Sequence, residues 1–269
     1  MKIFSKIYTA LIMVFLYAPI AVMIVFSFNS ARSTSVFGGF SLQWYGELLH
    51  DSSTIEALKN TLVLAVSSAV IATVLGTLSA VGIFQMKRRF VRASIMTATN
   101  IPMMNPDIVT GISLMLLFVF VGRLVGAEDV LGFGTMLIAH VTFNLPYVIL
   151  SVLPKLRQTD PHLSEAARDL GCTPLQSFFK VVFPSIAPGV FTGMIMAFTL
   201  SLDDFVISYF TTGPDFQTLP IKIFSMTKRR VTPDMYALST LIFLSVLILL
   251  ILINIAQARS EKKKEAAKL

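Results

Sequence analysis

KLRQTDPHLSEAARDLGCTPLQSFFKVVFP, Lys155 to Pro184, is the polar interlude on which the reading of the fold turns, because an apolar run long enough to cross a bilayer stands on either side of it. Its punctuation predicts two short helices. Asp160 is placed to cap the first, Pro161 takes the first helical position where a missing N–H costs nothing, and Gly171 stands just past the end. Thr173 then caps a second helix with Pro174 at its first position. Ala166 and Ala167 leave a low surface that a partner's groove can close over, flanked by the opposite charges of Glu165 and Arg168. Gly171 permits the left-handed turn between the helices. A loop of this kind between two spans reads as a docking surface for another protein; an ordinary solvated loop helix is the plainer alternative.

Composition excludes a soluble fold. Hydrophobic residues make up 55%, charged residues 14%, and the mean hydropathy is +0.76, more apolar surface than 269 residues can bury in water. The net charge of +7 does not point to nucleic acid, since the lysines and arginines stand at the ends of apolar runs rather than on one face. Cys172 is the single cysteine, so neither an internal disulfide nor a cysteine metal cluster can form, and it reads as a small loop residue without chemistry.

Working outward from the loop, six runs are long enough to cross hydrocarbon: approximately Ile7 to Phe28, Thr61 to Met86, Ile101 to Val121, Phe133 to Val152, Pro188 to Tyr209 and Ala237 to Ala256. The first is longer than a signal-peptide core and lacks a cleavage site, so it reads as a retained span. An even count puts both ends on one side. Lys2, Lys6, Lys87, Arg88, Arg89, Arg92, Lys155, Arg157, Arg168, Lys180 and the basic run after Arg259 share one set of loops; Arg32, Lys59, Arg123, Lys222, Lys228, Arg229 and Arg230 share the other. The richer set is expected to be cytoplasmic, with both termini and the 155–184 loop. The cluster Lys228-Arg229-Arg230 runs against that rule and reads as a solvated charge run beside Asp234 or as a contact for an acidic partner.

The first external loop carries Phe40, Leu42, Trp44, Tyr45, Leu48 and Leu49, spaced for a short interfacial helix whose aromatics sit at the membrane surface. The second span is rich in Ala, Ser, Thr and Gly, which lets backbones approach closely, so it is expected to be buried among others. The third is interrupted by Pro102 and Pro106 and is expected to kink. No internal repeat supports an inverted-repeat carrier, and no GxxxxGK, HExxH or nucleophile elbow is present. The expectation is therefore of a chain that is no enzyme and binds no cofactor or metal.

Three carboxylates fall within spans: Asp107, Asp203 and Asp204. An ionisable group at that depth costs about 2.5–3.5 kcal/mol, so it should face the bundle interior or a watery path. Counting helical rise, Asp107 lies about 22 Å beyond Arg92 and Asp203 a similar distance beyond Pro188. The spans offer no matching Lys or Arg, so these acids suit a cationic, amine-bearing substrate. A structural reading stands beside this one. Asp107 could cap the helix restarting after Pro106, and Asp203 or Asp204 could pair with an arginine of a partner subunit. Neighbours on a helix diverge by about 100°, so Asp203 and Asp204 cannot both face one lumen squarely.

Glu165-Ala166-Ala167, Gly171 and Val181-Val182-Phe183-Pro184 together resemble the EAA signature of bacterial ABC-importer permeases, with Val and Phe where that signature has Ile and Leu. With IPMMNPDIVTGISLMLLF and FTLSLDDFVISYFTTGP, the whole chain is similar to spermidine/putrescine permeases. The resemblance implies an all-α, six-span type I (MetI-like) bundle with a cytoplasmic coupling helix. Residues 1–56 would hold the first span and external loop, 57–256 the permease core with its 155–184 loop, and 257–269 a basic tail. It implies a bacterial inner-membrane subunit that forms half of a polyamine pathway. Its partners would be a second related permease, two copies of a cytoplasmic ATPase and a periplasmic polyamine-binding protein. Glu165, Ala166, Ala167 and Gly171 would couple to the ATPase, and Asp107, Asp203 and Asp204 would attract the polycation. A gradient-driven cation carrier using those acids, and a membrane scaffold without transport, are the competing readings.

Overall fold

The computed structural model describes residues 2–32, 36–127, 129–160, 162–228 and 232–266, with the side chains of 2, 3, 249, 252–254 and 256–266 excepted. Pro161, Arg229 and Arg230, singled out in the sequence, lie outside the described residues, and the side chains of Lys2 and of the basic run after Arg259 lie outside the described side chains. The described residues are nearly all helical. In order they form α1 (Lys2–Ser27), α2 (Gln43–His50), α3 (Ser52–Gln85), α4 (Arg89–Met104), α5 (Asp107–Val125), α6 (Phe133–Gln158), α7 (Leu163–Asp169) and α8 (Pro174–Ser177). A π turn, Phe178–Val182, follows, then α9 (Phe183–Asp203), α10 (Val206–Thr211), α11 (Leu219–Thr227) and α12 (Pro233–Ala266). Helices are what a bilayer permits, because they satisfy their own backbone groups.

Among the described residues five helical stretches are long and apolar enough to cross a membrane: Phe4–Ser27, Ser52–Gln85, Asp107–Val125, Phe133–Gln158 and Pro174–Asp203. The sixth expected span falls in α12, whose described apolar part runs Pro233–Ile248.

Two boundaries differ from the sequence reading. The second loop helix is no separate element: α8 passes through the π turn into α9, so one helical rod runs Pro174–Asp203. Pro184 sits in the first turn of α9 and has no N–H to give Lys180, and the wider π turn ends just before it. The third span is two helices. Pro102 is carried inside α4, and the break falls at Asn105, extended at ψ 141° ahead of Pro106.

By contacts the chain forms two units, 1–55 with 223–269, and 56–222. In the first, α1 packs on α12 and α12 on α2. The loop after α1 closes on itself. Trp44 is buried and its indole N–H donates to the Asn29 carbonyl at 2.6 Å, while the Asn29 side chain donates to Val36 O and accepts from Gly38 N. The Phe28 and Phe40 rings stack at 5.2 Å, and Tyr45 Oη meets Ser27 Oγ at 2.7 Å. Trp44 is thus a structural pin. Lys228, in the same unit, lies 4.8 Å over the Phe224 ring.

The second unit is built on α6 packed against α9. Its core joins Ala69, Ala72, Ala80 and Ile83 of α3 to Val148, Ile149 and Val152 of α6 and Ile186, Val190 and Ala197 of α9. Glycines set the spacing. A Cβ at Gly76 would lie 2.7 Å from Val148, one at Gly189 2.7 Å from Ser151 O, and one at Gly193 3.1 Å from Val148 Cα. The small residues of α3 are thus buried as expected, because lipid is as apolar as leucine and close packing is what remains to hold helices together. Gly189→Val should force α6 and α9 apart at a cost of about 1–3 kcal/mol. Gly82→Ala, where nothing lies within 4 Å, should be neutral or slightly stabilising, and thermal unfolding in detergent compares the two.

Candidate functional site

The 155–184 loop folds by local rules. Asp160 Oδ1 accepts from His162 N at 2.9 Å, and α7 begins at Leu163, so Asp160 caps an opening turn rather than the helix itself, whose N-cap is His162. At the other end Gly171 has φ +89°, Gly171 N donates to Arg168 O and Cys172 N to Ala167 O, the paired bonds of a Schellman close. Thr173 caps α8 as the sequence predicts: Thr173 Oγ1 accepts from Gln176 N, and Gln176 Oε1 accepts from Thr173 N. Ser177, wholly buried, donates to Ser164 O and meets Ser164 Oγ at 3.0 Å, fastening α8 to α7.

What α7 presents follows from this. Ala167 is buried inward, whereas Leu163, Ala166 and Leu170 are exposed along one stripe at i, i+3 and i+7. Leu175 and Phe179 are exposed nearby in sequence. Glu165 pairs with His162 Nδ1 at 3.0 Å, and both are largely exposed. The His162 imidazole is pushed above its ordinary value near 6.5, first by the hydrogen bond it donates to Glu165, then by the charge of Glu165 and that of Asp160.

The acids sit at helix breaks. Asp107 is the first residue of α5, exposed, in the turn where the helix dipole favours a negative charge, and its side chain makes no cap bond. Asp203 is the last residue of α9 and exposed. Asp204 is extended, at ψ 124°, and its carboxylate accepts from Ile207 N at 3.3 Å and Ser208 N at 2.7 Å. Its oxygen also lies 3.5 Å from His140 Nε2. The expected divergence of the two neighbours therefore arises from the break between them.

The breaks come together. Val119 and Arg123 late in α5 line the same cleft as Thr212, Gly213 and Pro214 just past α10, so the two helices run side by side in one direction. They touch at Gly111, where a Cβ would lie 3.0 Å from the Phe210 ring and 3.5 Å from Ile207 Cα. Asp107 is one turn before Gly111, and Asp203 and Asp204 stand four and three residues before Ile207, at the break. All three acids thus fall near one level of the bundle, whereas Glu165 to Gly171 lie at the other end of the rod Pro174–Asp203.

A buried polar seam lies behind the second break. His140 and Asn144, one turn apart on α6, are both fully buried. His140 Nε2 is 2.9 Å from Ser208 Oγ; Asn144 Nδ2 donates to Ser201 Oγ at 2.7 Å, and Ser201 Oγ meets Ser68 Oγ at 2.8 Å. The sequence reading passed over it. A histidine and an asparagine at i and i+4 inside the apolar run MLIAHVTFNLPYV were the available signal.

Residues 72–265 match the family model described as the binding-protein-dependent transport system inner membrane component. The chain belongs to that family. This permease is 40% identical over 250 residues to the putrescine transport system permease PotI of Escherichia coli K12, covering 93% of this chain and 89% of the relative. It is 39% identical over 240 residues to the spermidine/putrescine permease PotC of the same strain, covering 88% and 87%. In fold it matches a chain of a bacterial ABC transporter involved in the import of the acidic polysaccharide alginate, with TM-score 0.73 at 15% identity over 96% of this chain and 95% of that one. A chain of the MetNI methionine transporter matches at TM-score 0.56 and 19% identity, over 76% and 93%. The type I permease bundle implied by the resemblance therefore holds. So does membership of a multi-pass inner-membrane transport family, which sets aside the gradient-driven carrier and the scaffold.

Gly171→Val should strain the loop by about 1–2 kcal/mol through the backbone alone, since nothing lies within 4 Å of the added Cβ, while Gly171→Asn should cost less. ATP hydrolysis without uptake in the first and not the second would be the functional mark. The raised imidazole also sets a sign. Its contribution to α7 is fully present below pH 6.5 and is lost as pH rises through the higher folded value. Hydrogen exchange over 162–166, corrected for intrinsic rates, should be slower at about pH 6 than at about pH 8, and Glu165→Gln should remove most of the difference, leaving the part due to Asp160.

Proposed function

We propose that this permease forms half of an ATP-driven import pathway for polyamines, paired with a related permease, two copies of an ATPase and a binding protein that delivers spermidine or putrescine. The observation that carries the reading is near-full-length identity of about two residues in five to permeases named for those substrates, 40% to PotI and 39% to PotC. Three acids gathered near one level of the bundle support it, since carboxylates lining a path favour cations. Asp107 and Asp203, both exposed, are the ones offered to the polycation; Asp204 acts through the break it caps.

Both termini and the 155–184 loop face the cytoplasm in this reading, as the basic residues require. The ATPase receives the exposed stripe of α7, with Glu165, Ala166, Ala167 and Gly171 giving the loop its shape. Closing of the ATPase pair moves α7, and the helical rod that begins at α8 carries the movement to the break at Asp203.

Uptake of labelled spermidine and putrescine by the four-component transporter in liposomes tests this. Uptake that needs ATP and the binding protein, and falls about tenfold or more in Asp203→Asn, is expected. Uptake that persists without the ATPase, or is absent for every di- and polyamine, would overturn the reading.

A further inference from the structure

The break between α9 and α10 falls at Asp204, whose backbone is extended. The segment TLSLDDFV, Thr199 to Val206, contains neither proline nor glycine, the usual reasons for a helix to stop. A broken helix leaves the last carbonyls of α9 and the first N–H groups of α10 without helical partners. At the α10 side the partners are visible: the Asp204 carboxylate accepts from Ile207 N and Ser208 N. Behind it, His140 from α6 reaches both the same carboxylate and Ser208 Oγ, with its Nε2 3.5 Å and 2.9 Å away, and the imidazole is fully buried. The last residue of α9 is the exposed Asp203, and a carboxylate at the negative end of a helix dipole is unfavourable until a cation joins it. Carbonyl ends of interrupted helices seat cations in other transport folds for this reason.

We propose that His140 is a positioning residue: it fixes Asp204 as the cap of α10, keeps the helix interrupted, and so presents Asp203 with the carbonyl end of α9 as the seat for an ammonium group of the substrate. The proposal deepens the polyamine reading and rests on it for the nature of the cation. Its structural half stands alone. Were His140 or Asp204 unable to hold the cap, the helical sequence from Thr199 onward would run through, and Asp203 would turn with it.

The test uses the assembled transporter with Cys172→Ser, which removes this chain's one native thiol, and labelling is read on this chain alone. Asp203→Cys is then labelled with a cationic or an anionic methanethiosulfonate reagent, with and without His140→Leu, His140→Gln or Asp204→Asn. Gln keeps an N–H near the position of Nε2; Leu does not. Labelling is expected to slow about tenfold with Leu and with Asn and to stay within about threefold with Gln. In the background with Asp203 intact, polyamine uptake should fall with Leu, recover with Gln, and fall no further in the His140→Leu, Asp204→Asn double variant than in the worse single one. If His140→Leu does not co-purify with its partners, Asp204→Asn and His140→Gln carry the same expectations. Unchanged labelling and uptake in His140→Leu or Asp204→Asn, or losses that multiply in the double variant, would overturn the proposal. Labelling that behaves as expected in a transporter that moves no polyamine would instead leave the break as described and overturn the substrate reading.

Discussion

Hydrocarbon offers a peptide group nothing to bond with, so each place where a helix stops inside the bundle must be repaired by the protein itself. Two such places among the described residues are repaired differently. At Pro106 the ring removes a donor that would otherwise need a partner, and α5 starts again with an acid in its first turn. At Asp204 a carboxylate closes over the first N–H groups of α10, backed by a buried imidazole. One turn along α6 from that imidazole, Asn144 donates to Ser201 of α9, which meets Ser68 of α3.

Around these repairs the bundle is held by proximity rather than by bonds. Gly76, Gly189 and Gly193 bring α3 and α9 against one face of α6, so the rod from Pro174 to Asp203 is gripped along its length. At 30 residues it spans about 45 Å, and the exposed stripe of α7 adjoins one end while the second break forms the other. A push on the loop and a change at the acids are thus joined by a single element with one wide turn in it.

Much of this was legible in the residues. Span positions followed from long apolar runs, the buried role of α3 from its alanines and serines, and the first break from Pro106. The caps at Thr173 and Gly171 were readable because they are local, set by residues within one turn. The continuity of α8 with α9 was not, since a proline in a first turn looks the same whether the helix ends four residues later or thirty. Nor was the break at Asp204, which depends on His140, more than sixty positions away in sequence. The three acids stood out by their depth, but the residues alone left each of them open to a pathway role and a structural one. Contact with α6 separates an acid committed to the backbone from an exposed neighbour.

Trp44 is the single indole of the chain, and it is buried with its N–H on the Asn29 carbonyl. Its ultraviolet emission therefore comes from one known spot, the knot that closes the segment between α1 and α2. Loosening of that knot, by a docking protein or by turnover, would redden and dim the light without any dye being attached.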